Sequence, residues 1–140
     1  MSFREKSTWI TFVLLLLVFG FYFLSVAGQL VHPVHPHPNF FMLFLALLIF
    51  IVVMEIVLHV IAAIRSPADA KTPADERDSL IALKAKRPAY FVLSFAAFLS
   101  VGVAHLGVGV WPMLNATLFA IWLGELTNYG AQLYFYRRET

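Results

Sequence analysis

Two acids lie deep inside apolar stretches of this chain: Glu55 in "VVMEIVLHVIAAIR" and Glu125 in "WLGELTNYGAQLYFYRR". A carboxylate in such a run is costly to desolvate and is normally turned toward polar partners. His59 follows Glu55 by four residues, so on a helix the two share a face. Asn128 and Gln132 follow Glu125 by three and seven residues and continue the face of that acid, together with Tyr129. At ~1.5 Å of rise per residue, Glu55 lies about 15 Å before Arg65 and Glu125 about 18 Å before Arg137, a similar depth. The spacing therefore predicts an inward polar seam made by the two segments. Glu55, His59, Glu125, Asn128 and Gln132 then form either a proton, metal or ligand site, or a hydrogen-bonded clasp that glues helices together.

A second cluster sits in "QLVHPVHPHPNF", where His32, His35 and His37 alternate with prolines. Such a stretch favours a polyproline conformation with about three residues per turn, which puts His32 and His35 on one face. With His105 nearby, these imidazoles are weak candidates for zinc or copper. No carboxylate accompanies them, and the chain has no Cys, which removes thiolate ligands, thiol nucleophiles and disulfides. A stiff external turn is the simpler reading, and no cofactor is expected.

The elements that position these residues follow from composition. Hydrophobic residues make up 61% of the 140 and charged residues 13%, about half the charge of a soluble domain. One integral membrane domain, 1–140, is expected. Four apolar runs, Trp9–Ala27, Phe40–Ile64, Ala89–Leu106 and Trp111–Tyr134, each approach the ~20 residues that cross a bilayer as a helix. They lack the alternation of barrel strands. The expected fold is all-α: a four-helix transmembrane bundle of two inside–outside–inside hairpins. The 70-residue offset between Glu55 and Glu125 suggests a parallel internal repeat. All 10 Lys and Arg residues flank the runs on one side, which the positive-inside rule makes cytoplasmic, together with both termini. The first run is longer than the apolar core of a signal peptide, so cleavage after Ala27 is not expected.

The cytoplasmic loop, 65–88, begins as a Pro- and Ala-rich linker. It continues as "DERDSLIALKAKR", which predicts a helix over 75–87. Asp75 caps it, Glu76 and Asp78 lie in its first turn, and Lys84, Lys86 and Arg87 crowd its end. Leu80, Ile81 and Leu83 would face the membrane surface, and Pro88 would kink or restart the chain into the third span. Asp75, Glu76, Arg77, Asp78 and Lys84 offer a charged surface to a protein partner. Ala96, Ser100 and Ala104, and likewise Ala116, Ala120 and Gly124, recur every four residues and let helix backbones approach, either within the second hairpin or between copies.

The segments "MSFREKSTWITFVLLLLVFGFYF", "AIRSPADAKTPADERDSLIALKAKRPAY" and "ELTNYGAQLYFYRR" together resemble a family of small bacterial inner-membrane proteins of unknown function. The resemblance implies four spans and a bacterial inner (cytoplasmic) membrane location, and it supplies no catalytic residues. No constellation for enzymatic chemistry is present. The sequence is consistent with a regulatory or scaffolding membrane subunit that binds a partner through its cytoplasmic loop. The alternative is a small proton- or metal-coupled transporter using Glu55, His59 and Glu125. The partners expected are lipid and a protein, either a second copy or another chain, and not nucleic acid. Because the chain has no Cys, single cysteines at Val34 and Thr72 test the topology directly. Val34→Cys should react with an impermeant maleimide from outside and Thr72→Cys only after permeabilisation; the reverse pattern would invert the orientation.

Overall fold

A computed structural model describes residues 3–31, 39–67, 75–107 and 109–138. It contains four helices: α1 (Phe3–Val31), α2 (Phe40–Arg65), α3 (Glu76–His105) and α4 (Val110–Arg138). The connector holding His32, His35 and His37 lies outside the described residues, as does most of the Pro- and Ala-rich linker. By length and composition, two of the helices can cross a membrane, over Phe3–Gln29 and Phe40–Arg65.

The helix starts follow from capping. Asn39 accepts a hydrogen bond from the Met42 backbone N–H at 3.1 Å, which opens α2. Asp75 accepts from Glu76 N–H at 2.7 Å and opens α3, with Glu76 and Asp78 in the first turn. Between α3 and α4 the chain reverses through Gly107 and Gly109, at φ 69° and 94°. This is left-handed backbone that glycine adopts without a Cβ penalty.

One expectation is corrected. The charged loop helix and the third apolar run are not separated at Pro88 but form the single 30-residue helix α3, with Pro88 inside it. Proline has no backbone N–H, so one hydrogen bond of the helical ladder is lost. Packing outweighs that loss: Ile81, Ala85 and Ala89, spaced four apart across the proline, are all buried. Ile81 therefore does not face the membrane surface, as its neighbours suggested. It is fully buried, while Leu80 and Leu83 are exposed. At ~1.5 Å per residue α3 is about 45 Å long, which exceeds a ~30 Å hydrocarbon core by several turns.

The helices do not pack as a symmetric square. α3 packs most extensively on α4, while α1 packs on both α2 and α4. The lateral order is thus α2, α1, α4, α3. A parallel repeat would make the α1–α4 contact equivalent to an α3–α2 contact, and that pair is not among the main packing pairs. The first hairpin is held by Leu14, Val18 and Ile51, and further along by Tyr22, Val26 and Phe40. α1 and α4 are joined by Trp122 Nε1 donating to the Leu15 carbonyl at 2.9 Å and by Tyr22 donating to Asn115 Oδ1 at 2.8 Å. In the second hairpin the small residues do what their spacing suggested. Ser100, Ala120 and Gly124 are buried in the contact.

The tightest approach is at Gly124, where an added Cβ would stand 3.0 Å from Leu93 Cβ. Gly124→Val should therefore push α3 from α4 and cost about 1–3 kcal/mol by overpacking. Gly20→Ala, with open space around it, should be neutral or stabilising by up to about 1 kcal/mol. Unfolding of both variants in detergent measures the difference, and equal effects would show that the approach is not tight.

Candidate functional site

Glu55 and His59 are brought together as their spacing required, and the geometry fixes how. His59 Nδ1 stands 2.7 Å from the Glu55 carbonyl oxygen and 3.1 Å from Glu55 Oε2. A carbonyl can only accept, so Nδ1 carries the hydrogen and Nε2 presents its lone pair when the ring is neutral. Nε2 lies 2.6 Å from Ser7 Oγ. The Thr11 hydroxyl donates to Glu55 Oε2 at 3.1 Å. Ser7 and Thr11 are themselves one turn apart on α1, so two i, i+4 pairs on neighbouring helices interlock. Glu55 Oε1 is buried and has no hydrogen-bond partner.

This corrects the expected seam. Glu55 and His59 face α1, not α4, because α1 lies between α2 and α4. They are half-buried, with side chains 26% and 31% exposed. Glu125 is exposed on α4 and does not share an interior with Glu55. Tyr129, one turn further on, lies in electrostatic range of both acids. Gln132 donates to Asn128 Oδ1 at 3.4 Å, so these two form a local pair on α4. Ser7, Thr8 and Thr11 were missed as site residues. Their signal was present: three hydroxyls within the first turns of a helix that otherwise turns apolar.

The loop residues divide in two. Tyr136 is buried and donates to Asp78 Oδ1 at 3.0 Å, and Arg77 donates to the Tyr136 carbonyl at 3.4 Å. Arg77 and Asp78 are therefore partly committed within the bundle, against α4. Asp75, Glu76 and Lys84 are exposed. His105 is exposed, its Nδ1 2.9 Å from the Val101 carbonyl. Among the described residues no group of three or more His, Asp or Glu side chains is placed to hold a metal ion.

Between these clusters lies a polar cavity of about 400 Å³ to which every helix contributes. Its wall includes Ser7, Thr8 and Thr11 from α1 and His59 from α2. Asp78 and Ser79 come from α3, and Tyr129, Gln132 and Tyr136 from α4, with Arg4 also lining it. Glu55 is not among its lining residues, but Thr11 and His59, which contact Glu55, are. The chain matches no family model, no curated protein and no solved structure.

Burial first, and then the hydrogen bond to Asp78, push the Tyr136 hydroxyl from 10.0 up to about 12, while Arg4 and Arg77 pull it the other way. A tyrosine with a raised value holds its proton more tightly when folded. Its contribution is thus full below the unfolded value of 10.0 and is lost as pH rises through about 12. Tyr136→Phe leaves Asp78 without this donor and should cost about 1–3 kcal/mol at neutral pH. It should also flatten the alkaline limb of the unfolding profile. An unchanged limb would mean that Tyr136 does not link α3 to α4.

Proposed function

We propose that the chain is a four-span protein of the bacterial inner membrane, with both chain ends cytoplasmic, and that it is a small proton-coupled binding or transport protein and not an enzyme. The observation that carries this is the Ser7–His59–Glu55–Thr11 chain of hydrogen bonds at the wall of a cavity lined by all four helices. An ionisable pair held at an apolar helix contact, one of its oxygens buried and unpaired, is costly unless it is used. Charge placement supports the topology. Arg4 and Lys6 open α1, Arg65 ends α2, Arg77 opens α3, and Arg137 and Arg138 end α4. These ends lie together in antiparallel hairpins, and on this reading the cavity opens to the cytoplasmic side. Coupling to a proton fits better than coupling to a metal, because Glu55 and His59 supply only two ligands.

A second reading, a regulatory or scaffolding subunit that binds a protein partner, keeps one observation. Asp75, Glu76 and Lys84 are exposed beside the exposed Leu80 and Leu83. Arg77 and Asp78 serve it less well, since they contact the protein's own α4.

Reconstitution into liposomes loaded with a pH dye separates the two. Wild type should acidify the lumen under a valinomycin-imposed potential, and Glu55→Gln and His59→Gln should each abolish this. Glu55→Gln should keep the fold, whereas Glu55→Leu strands the Thr11 donor, while His59 keeps the backbone carbonyl of residue 55, and should cost about 1–3 kcal/mol. Proton movement unchanged in Glu55→Gln would overturn the proposal. No movement at all, with a co-purifying partner lost in Glu76→Lys, would establish the second reading in its place.

A further inference from the structure

α4 carries a row of side chains that the rest of the molecule leaves largely uncovered. Leu114, Leu118, Ile121, Glu125 and Asn128 follow one another at intervals of four, three, four and three. That is the seven-residue repeat which keeps one seam of a helix facing a second helix along its length. The buried residues of α4, namely Asn115, Ala120, Gly124, Leu133 and Tyr136, all fall off this row. Within it, Leu114 and Ile121 are 53% and 51% exposed, Glu125 is exposed, and Leu118 and Asn128 are half-buried. α1 and α3 meet α4 on other residues, at Trp122 and Gly124, and α2 is not among its main packing partners.

Lipid would satisfy the apolar members of the row, but not Glu125. On the four-span reading Glu125 lies about 18 Å from the basic end of α4, within the hydrocarbon. An acid at that depth is costly unless a polar group meets it. Among the described residues none forms a hydrogen bond or ion pair with its carboxyl. One turn away stands a donor. Asn128 Oδ1 accepts from Gln132 at 3.4 Å, which leaves the Nδ2 hydrogens of Asn128 to give.

We propose that the chain forms a parallel homodimer along this row of α4, in which each Glu125 accepts a hydrogen bond from Asn128 of the second copy. This rests on the four-span part of the reading above and not on proton movement. Two features select a second copy as the occupant. Copies inserted with one topology present α4 in parallel, and a heptad row packs on a parallel copy of itself. The row also holds an acceptor and its donor one turn apart, so a two-fold axis along the membrane normal makes two equivalent Asn128–Glu125 contacts. Polar side chains in an apolar seam bind membrane helices together and fix their register. Beyond Asn128, Gln132 turns into the cavity wall, so each copy keeps its own cavity.

Because the chain has no Cys, single cysteines read the contact directly in native membranes. Leu114→Cys and Ile121→Cys should cross-link on mild oxidation to a species of twice the chain mass. Phe98→Cys on α3 and Ile56→Cys on α2, at positions at least as exposed, should not. In liposomes, energy transfer between labelled chains on dilution should give a dimer dissociation constant. Glu125→Leu should raise it about tenfold or more, because two equivalent bonds are lost. Glu125→Gln keeps an acceptor at that place and should hold the wild-type value. Unfolding of Glu125→Leu in detergent should match wild type, since the side chain is exposed, and this separates lost association from lost folding. Equal cross-linking from all four positions, or a Glu125→Leu dimer as tight as wild type, overturns the proposal. An Ile121→Cys product of any other mass gives the row to a different protein and overturns it too. Ile121→Cys that neither cross-links nor reacts with an aqueous maleimide refutes the dimer and leaves the four-span reading standing. Free reaction of Ile121→Cys from water puts α4 outside the bilayer and removes that reading together with this inference.

Discussion

α2 meets the rest of the molecule chiefly through α1, so the contact between those two helices decides whether the structure is a bundle or a three-helix unit with a loose fourth. For helices apolar enough to cross a membrane, apolar packing alone would give that contact little specificity, because a lipid tail would compete equally well for the face of α2. Only Phe40 and Ile51 of α2 are buried. The interlocked pairs Ser7–Thr11 and Glu55–His59 supply what apolar contact cannot, namely a register. Sliding α2 by one residue along α1 would break two hydrogen bonds and strand a carboxylate, whereas leucines would slide at almost no cost. The site and the fold are therefore coupled. Any chemistry that loosens Glu55 also loosens the hold on α2.

At the other side of the molecule the problem is solved differently. α3 and α4 approach closely through Gly124, Ala120 and Ser100, and the pair is then extended past the apolar region by the Tyr136–Asp78 bond and by buried Ile81 and Ala85. The result is a firm hairpin whose open end continues as helix through Pro88. Asp78 and Tyr136 reach the cavity because Pro88 fails to break α3. Had the helix ended there, the α3 contribution to the cavity wall would be lost.

Much of this could be read from residue types and spacing. The apolar runs, the basic residues at their ends and the Glu55–His59 pair depend on local spacing, and a helix preserves local spacing. The small-residue rows of α3 and α4 were legible for the same reason. What failed were inferences about which helix faces which. Glu55 and Glu125 were paired because they stand at equal depth, but depth along a helix says nothing of its rotation or its neighbour. The partner of Glu55 was carried by Ser7 and Thr11, short hydroxyl residues that fit equally well as a helix start. Pro88 misled in the opposite way. Its local cost is real, but it is smaller than the burial of Ile81, Ala85 and Ala89 around it, and tertiary packing decides between the two.

The two ends of the bundle treat their polar groups unequally. Toward the turn between α3 and α4, Tyr22 donates to Asn115, Asn115 donates to the Trp111 carbonyl, and Trp122 donates to the Leu15 carbonyl. Phe23, Phe119 and Trp122 stack around them with ring centroids 5.1 to 5.5 Å apart. The Tyr22 hydroxyl, the Asn115 amide nitrogen and the Trp122 ring nitrogen each have an acceptor, and aromatic rings pack around them. Toward the basic end the pattern reverses: hydroxyl hydrogens are spent inward, lone pairs face a cavity, and one carboxylate oxygen is buried with no partner. The polar groups that set the register of α1 against α2 are thus gathered at the end where all four helices line a cavity, away from the aromatic end.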